Sequence, residues 1–398
     1  MTPPTQPAAA TVPAAVTVPA AVIVLAAGEG TRMKSRLPKV LHLLGGRPLL
    51  VHAVSAARAS GPEHLVVVLR HEAEQVAGIV RAADAGVVVA LQDEVPGTGR
   101  AVQCGLEALP ADLTGTVLVT YGDVPLLSAA TLRRLVQVHQ DAGDPRNGEG
   151  GGAEGNAMTI LTAELDDPTG YGRILRDGSG VSAIVEQKDA TEAQRAVREV
   201  NSGVYAFDAA ALRWALGGLG RDNAAGEVYL TDVLALLRGA GRRVEALAVE
   251  DRWEVRGVND RLQLSELAST ANERRLRRWM LAGVTILDPR TTWIDADVEL
   301  SPDVTLLPGV QLHGATRIAA GAVVGPDSTL TDVEIGADAV VERTHGLSAV
   351  IGEGAHVGPF AYLRPGTRLG AEGKIGTFVE TKNAEIGRGS KVPHLSYV

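Results

Sequence analysis

Between Ala21 and about Val258, continuous apolar runs alternate with stretches of helical periodicity: "AVIVLAA", "RPLLVHAVSAARAS", "HLVVVLR", "EAEQVAGIVRAA", "VVVAL", "GRAVQCGLEAL" and "TVLVTYGD". Unbroken apolar runs of this kind predict strands buried on both faces of a mostly parallel sheet. The first half is expected to be α/β, with ligands gathered near the carboxyl ends of its strands. After Val284 the pattern changes to a period of six. Leu300, Leu306, Leu312, Ile318, Val324 and Leu330 keep one register, and Val298, Val304 and Val310 keep another. Further runs hold Ile351, Val357, Leu363, Leu369 and Ile375, then Ile386, Val392 and Val398. A six-residue repeat is the signature of a β-helix, each repeat forming one flat face with its apolar residue turned inward. The register shifts near Val333 and between Ile375 and Ile386, where inserted residues such as "ERTHGLSAV" are expected to bulge out as loops.

Between the two patterns, "NDRLQLSELASTANERRLRRWMLAG" (259–283) predicts a linker helix with Leu262, Leu267 and Leu276 among its apolar positions. Its cluster Arg274, Arg275, Arg277 and Arg278 is expected to be a solvated face, with Glu273 pairing Arg277 at i,i+4. Gly-rich, polar "DAGDPRNGEGGGAEGN" (141–156) is expected to be a surface loop. Residues 1–20 hold five prolines and no Lys or Arg, which suits neither a signal peptide nor a spanning helix, and they are expected to be a disordered leader. The expected division is a leader (1–20), an α/β domain (21–258), a linker helix (259–283) and an incomplete β-helix (284–398).

At 398 residues the chain is long enough for two or three separate cores. Its net charge of -9 argues against a general nucleic-acid partner, so any basic site is local. A single cysteine, Cys104, leaves no internal disulfide framework and fits a reducing compartment. No apolar run approaches the roughly 20 residues of a membrane helix, and a cytoplasmic setting is expected.

Candidate chemistry begins at "LAAGEGTRMKSRLPK", Leu25 to Lys39. Met33 stands where G-x-G-x-x-G needs its last glycine or alanine, which disfavours a dinucleotide fold. Gly28 and Gly30 lie too close for G-x-x-x-x-G-K-[ST], which disfavours a P-loop ATPase. Ala26, Ala27 and Gly28 would let a ligand approach the backbone as an anion nest, with Arg32 and Lys39 on a polyphosphate tail. The same stretch is equally consistent with an ordinary turn carrying surface charge. Asp123, at the end of "TVLVT", could carry Mg2+, a hard cation that prefers oxygen. Gln92 and the pair Gly97-Thr98 occupy another strand-to-helix turn, suited to reading a base edge. Gly172, Glu186 and Asn201 add polar groups able to fix sugar hydroxyls.

Taken together, "LAAGEGTRM…LPKVL", "LQDEVPGTGRAV", "YGDVPLL", "DDPTGYGRI", "IVEQKDA", "EVNSGVYAF", "GEVYLTDV", "GVNDRLQL" and the hexapeptide repeat resemble a bifunctional family. It is that of the N-acetylglucosamine-1-phosphate uridylyltransferase/glucosamine-1-phosphate acetyltransferases, and the similarity spans Ala21 to Val398. The resemblance implies a Rossmann-like nucleotidyltransferase domain, a linker helix and a left-handed parallel β-helix. It implies UTP and N-acetylglucosamine-1-phosphate as substrates and Mg2+ as cofactor, in a cytoplasmic homotrimer that binds neither nucleic acid nor membrane. Leu25, Ala26, Ala27, Gly28, Lys39, Gln92, Gly97, Thr98, Tyr121, Gly122 and Asp123 would hold the nucleotide. Gly172, Glu186, Asn201 and Asn259 would hold the sugar. Asp123 and Asn259 would share the metal, and Arg32 would act on the triphosphate in the transition state. Glu29 departs from the Lys or Gln of other members, so a slightly weaker pull on the triphosphate is expected.

A sugar phosphate has a second pKa near ~6 and is already an anionic nucleophile at neutral pH. Such a transfer needs alignment and positive charge rather than a general base. Acetyl transfer to an amine does need a base, and His394 in "HLSY" resembles the family's, with Arg364, Lys382 and Tyr397 matching residues that bind glucosamine-1-phosphate. In the family several more coils follow Tyr397 and carry most of the acetyl-CoA site. The chain is therefore expected to be a truncated member without acetyltransferase activity. Two alternatives stand beside this reading: a nucleotidyltransferase for another sugar, and a non-catalytic sugar-nucleotide sensor or scaffold.

Overall fold

The computed structural model describes residues 18–141, 155–178, 180–221 and 226–398. The expected leader lies outside the described residues as far as residue 17, and so does 142–154 of the expected Gly-rich loop. Ala20, within the expected leader, donates to the Thr116 carbonyl (2.9 Å) and accepts from His64 N (3.1 Å).

In chain order the elements before the β-helix are β1 (Ala21–Leu25), β2 (Leu43–Leu44), β3 (Arg47–Pro48), α1 (Leu49–Ala59), β4 (His64–Leu69), α2 (Ala73–Ala83) and β5 (Val88–Leu91). Next come α3 (Thr98–Glu107), β6 (Thr116–Tyr121), α4 (Ala129–Asp141), β7 (Met158–Glu164), β8 (Arg173–Asp177) and β9 (Gly180–Val185). The series closes with α5 (Glu192–Arg195), β10 (Glu199–Asp208), α6 (Ala209–Leu216), α7 (Asp232–Gly239), β11 (Val244–Ala248) and α8 (Arg261–Leu281). The chain divides into two compact units, one holding the described residues up to Gly28 with Ala53–Val255, the other Glu29–His52 with Arg256–Val398.

The first unit is built on a nine-stranded mixed sheet whose main path runs β11-β7-β10-β6-β1-β4-β5. β1 is parallel to both β4 and β6, and β10 enters antiparallel between β6 and β7. All five β1 residues are buried, as expected of a strand with helices on both faces. β5 departs from that expectation: it ends the sheet, and Leu91 is 64% exposed, because an edge strand has no neighbour beyond it.

In the second unit the six-residue repeat becomes three parallel sheets of seven, six and six short strands. Leu300, Leu306, Leu312, Ile318, Val324 and Leu330 all point inward and are buried. Val298, Val304 and Val310 are buried as well, so each face contributes two inward residues. The expected bulges are absent among the described residues. "ERTHGLSAV" instead carries the coil strand His345–Leu347, paired with Thr329–Thr331 and Tyr362–Leu363. The register shifts because turns lose a residue: Leu312 pairs with Leu330, 18 positions on, but Val341 pairs with Val357, 16 on. Between Ile375 and Ile386 the inward position is Thr381, its hydroxyl 2.9 Å from that of Thr367.

Helix α8 also departs from expectation. Leu267 and Leu276 are buried, but Leu262 is 69% exposed. Glu273 and Arg277 form no ion pair among the described residues, and both point to solvent. Arg278 lies over the Trp279 ring, 4.9 Å from its centroid, while Arg275 turns inward and donates to the Ile294 carbonyl (2.6 Å). The segment Glu29–His52, expected within the first domain, belongs to the second unit because its backbone is tied there. Arg261 Nε donates to Met33 O (3.2 Å), Ala296 N to Gly45 O (2.8 Å), and Arg47 pairs with Asp297. Among the described residues no helix is long and apolar enough to cross a membrane.

Two stability predictions follow from these cores. Leu312→Ala removes a fully buried side chain and should cost about 2–5 kcal/mol, read from a denaturant midpoint, whereas Gln311→Ala on the outer face should stay within about 0.5 kcal/mol. His139 is buried against the Thr159 hydroxyl (3.0 Å), and burial pulls its imidazole from 6.5 down to about 4, partly opposed by Asp208. The unfolded chain then binds the proton more readily, so this stabilisation is complete above 6.5 and is lost as pH falls towards 4. It amounts to roughly 3 kcal/mol. The urea midpoint should fall between about pH 7 and about pH 4.5, and fall less in His139→Gln.

Candidate nucleotide and sugar-phosphate site

In the first unit, the register of β1 on β6 sets Leu25 opposite Tyr121. Beyond it Gly122 N donates to Leu25 O (2.9 Å) and Ala26 N to Val68 O (2.9 Å). The turns Leu25-Ala26-Ala27-Gly28 and Tyr121-Gly122-Asp123 therefore leave the carboxyl ends of adjacent strands side by side. Gly28 is exposed, and a Cβ there would meet nothing.

Gln92 continues from β5, with its backbone N–H on Leu69 O (2.8 Å). Its side chain is less free than a base-reading role requires: Nε2 donates to Val95 O (2.8 Å) and Gly97 O (3.2 Å), leaving the amide oxygen to read a ligand. Gly97 precedes α3 at φ 120°, and a Cβ there would lie 2.3 Å from Val228 O. Thr98 opens the helix, with its hydroxyl accepting from Leu230 N (3.1 Å) and bonded to the Tyr121 phenol.

The three sugar-facing candidates meet in one place. Asn201 N donates to Gly172 O (2.9 Å). A Cβ on Gly172 would lie 3.5 Å from both Asn201 Cβ and Glu186 Oε1. Asn201 Nδ2 donates to Tyr205 Oη (2.7 Å), and its Oδ1 accepts from Gly203 N (3.1 Å), where β10 shifts register against β7. Burial pushes the Glu186 carboxyl up, reinforced by Asp189 and Asp232 and partly offset by the Thr231 hydroxyl. Tyr121 joins this group to the strand-end turns. Burial, then the charges of Asp123 and Glu186, raise its phenol well above the usual value and keep it a proton donor.

In the second unit, Arg32 Nη2 donates to Asn259 Oδ1 (2.8 Å) across 227 residues of sequence. The amide oxygen that the resemblance assigns to a metal is thus an acceptor for Arg32. Lys39 packs against Gly30, where a Cβ would fall 2.4 Å from Lys39 Cβ. The first turn of α8 holds this group. Asp260 caps the helix through Gln263 N (2.8 Å), Gln263 Oε1 accepts from Asn259 N (2.8 Å), and Arg261 fixes the turn at Met33. Sequence reasoning missed Arg261 and Gln263. The signal was there in part, because Asp260 followed by Gln263 is a capping pattern.

On the β-helix, Arg364 and Lys382 occupy equivalent places on successive coils, with Arg364 N on Thr381 O (2.9 Å) and Lys382 N on Val398 O (2.8 Å). Arg364 pairs with Glu380 (2.9 Å), and the backbones of Glu380 and Tyr397 form an isolated parallel β-bridge. His394 is exposed in the turn after Lys391–Val392. Among the described residues no group of three or more His, Cys, Asp or Glu could hold a metal. A Mg2+ held by one carboxylate, one amide and phosphate oxygens would not need one.

The model of the MobA-like NTP transferase domain matches residues 22–153, which hold the side-by-side strand-end turns and the acidic residue beside them, and makes the first unit a nucleotidyltransferase domain. Over its whole length the chain is 74% identical to the Bifunctional protein GlmU of Kineococcus radiotolerans, covering 76% of that protein. It is 60% identical to the protein of the same name from Paenarthrobacter aurescens and 57% identical to that from Micrococcus luteus, over 94% of the chain in each case and 73% and 76% of those proteins. The chain belongs to the GlmU family, whose first activity is uridylyl transfer and whose second is acetyl transfer.

Gly97→Ala should move the Gln92–Thr98 turn. Its methyl would collide with Val228 O at a backbone angle that favours glycine, so we expect destabilisation of about 1–3 kcal/mol. Amide exchange at Thr98 and Gly99 should quicken; unchanged stability and protection would show that Val228 moves aside at little cost.

Proposed function

We propose that the chain transfers UMP from UTP to N-acetylglucosamine-1-phosphate, releasing pyrophosphate and forming UDP-N-acetylglucosamine. The observation that carries this reading is the meeting of Gly172, Glu186 and Asn201 within one group that also reaches Tyr121 and Asp123. In this reading the Leu25–Gly28 backbone, Gln92 Oε1, Gly97, Thr98 and the Tyr121–Asp123 turn hold the uridine nucleotide. Asn201, Gly172 and Glu186 orient the sugar. Its phosphate oxygen attacks the α-phosphorus, the bond to the bridging oxygen of pyrophosphate breaks, and no side chain has to take a proton.

Arg32 and Lys39 supply fixed positive charge to the triphosphate. Asp123 and Asn259 are oxygen donors of the kind Mg2+ prefers and would be the residues that hold it. Bound there, the ion would screen the phosphate charges.

For the family's second activity, which this chain is expected to lack, His394 matches the base that would take the proton of the attacking amine of glucosamine-1-phosphate, with acetyl-CoA as acyl donor. Arg364, Lys382 and Tyr397 bind the sugar phosphate. Stacked coils of this type support a homotrimer, and the nucleotide substrate supports a cytoplasmic setting.

Pyrophosphate release from UTP and N-acetylglucosamine-1-phosphate with Mg2+ tests the first activity. Asp123→Ala and Arg32→Ala should each lower kcat by about 10²–10³. ATP, dTTP or glucose-1-phosphate should be poor replacements. Rates equal to wild type in Asp123→Ala would remove the metal assignment, and equal turnover with ATP would remove the uridine assignment.

A further inference from the structure

Within the second unit, a cavity of about 290 Å³ opens beside α8, away from every residue given a role above. That is room for about ten waters at ~30 Å³ each. Ala268, Asn272 and Arg275, at i, i+4 and i+7, face it from the helix.

Most polar groups around this cavity already have partners. Asn272 is a brace, with Nδ2 donating to Thr292 O (2.8 Å) and Oδ1 accepting from Ile294 N (3.1 Å). The Asp295 carboxylate accepts from Gly314 N (3.1 Å) and lies against His313 Nδ1 (3.2 Å). Arg275 is less well satisfied. Its half-buried guanidinium makes one hydrogen bond, Nη1 to Ile294 O, and no ion pair among the described residues.

The surroundings of Arg275 favour an anion. The backbone of Gly45 covers one side, since a Cβ there would lie 2.9 Å from Nη2 and 3.0 Å from Nη1. Burial pulls the guanidinium pKa down, Asp295 and Asp297 oppose this, and Arg278 and Arg47 add to the lowering. A charge that has lost water and gained a single acceptor is stabilised by any oxyanion that meets its remaining N–H groups. A planar fork of donors matches two oxygens of a carboxylate or a phosphate. At the mouth, Trp293 is 42% exposed and offers a flat apolar wall, and Gln311 offers an amide.

We propose that this cavity is a binding site for a small organic oxyanion, a carboxylate or phosphomonoester anchored on Arg275 with its body against Trp293. The hairpin that roofs it, β2–β3, belongs to the segment that carries Arg32 and Lys39.

Calorimetric titration of the full chain with benzoate and, separately, with inorganic phosphate tests the proposal. At least one should bind saturably, with a dissociation constant of roughly millimolar or tighter. Benzoate alone would point to carboxylates, phosphate alone to phosphomonoesters. Arg275→Gln, checked for an unchanged thermal midpoint, and Ala268→Phe, which fills the cavity without touching the guanidinium, should each weaken that binding at least tenfold. Absence of saturable binding by both anions would overturn the proposal. So would binding that survives in either variant, because it would lie elsewhere or not depend on the guanidinium.

Discussion

The hydrogen bonds that hold β1 between β4 and β6 are the constraint on which the first unit depends. Five residues, Ala21 to Leu25, are buried and paired on both edges in strict register. Buried backbone groups cannot be left unpaired, so a slip of one position would break both ladders and turn every side chain over. That rigidity continues past the strand ends through Gly122 N on Leu25 O and Ala26 N on Val68 O. The turns Leu25–Gly28 and Tyr121–Asp123 therefore start from a fixed place.

In the second unit α8 plays the corresponding part. Its amino end is capped by Asp260 and presents Asn259 to Arg32, and its middle is fastened to the coil through Asn272 and Arg275. One helix thus presents a candidate site residue, Asn259, at one end and walls a cavity farther along. Both uses need side chains that face inward, and a helix can supply them only by giving up part of its solvated surface.

Much of this was legible in the chain. The seven apolar or helical segments read from Ala21 to Asp123 became strands and helices at nearly those bounds, because long buried strands leave an unmistakable run of apolar residues. The inward stripe from Leu300 to Leu330 was legible for a similar reason, since every coil must fill the same small interior. The sign of the later register shift was not. A shortened turn and an inserted loop both break the period, and only pairing of Val341 with Val357 tells them apart.

Sequence by itself determined the two architectures, the strand ends on which the candidate residues sit, and the resemblance that assigns them roles. Local periodicity and residue type suffice for these because they reflect burial repeated along one segment. Only the tertiary structure decided that Gln92 spends its donors on its own loop, that Arg32 meets Asn259, that Glu29–His52 packs with the second unit, and that Arg275 faces a cavity rather than solvent. Each of those outcomes depends on a partner distant in sequence, and the pattern of a segment records how much of it is buried without recording against what.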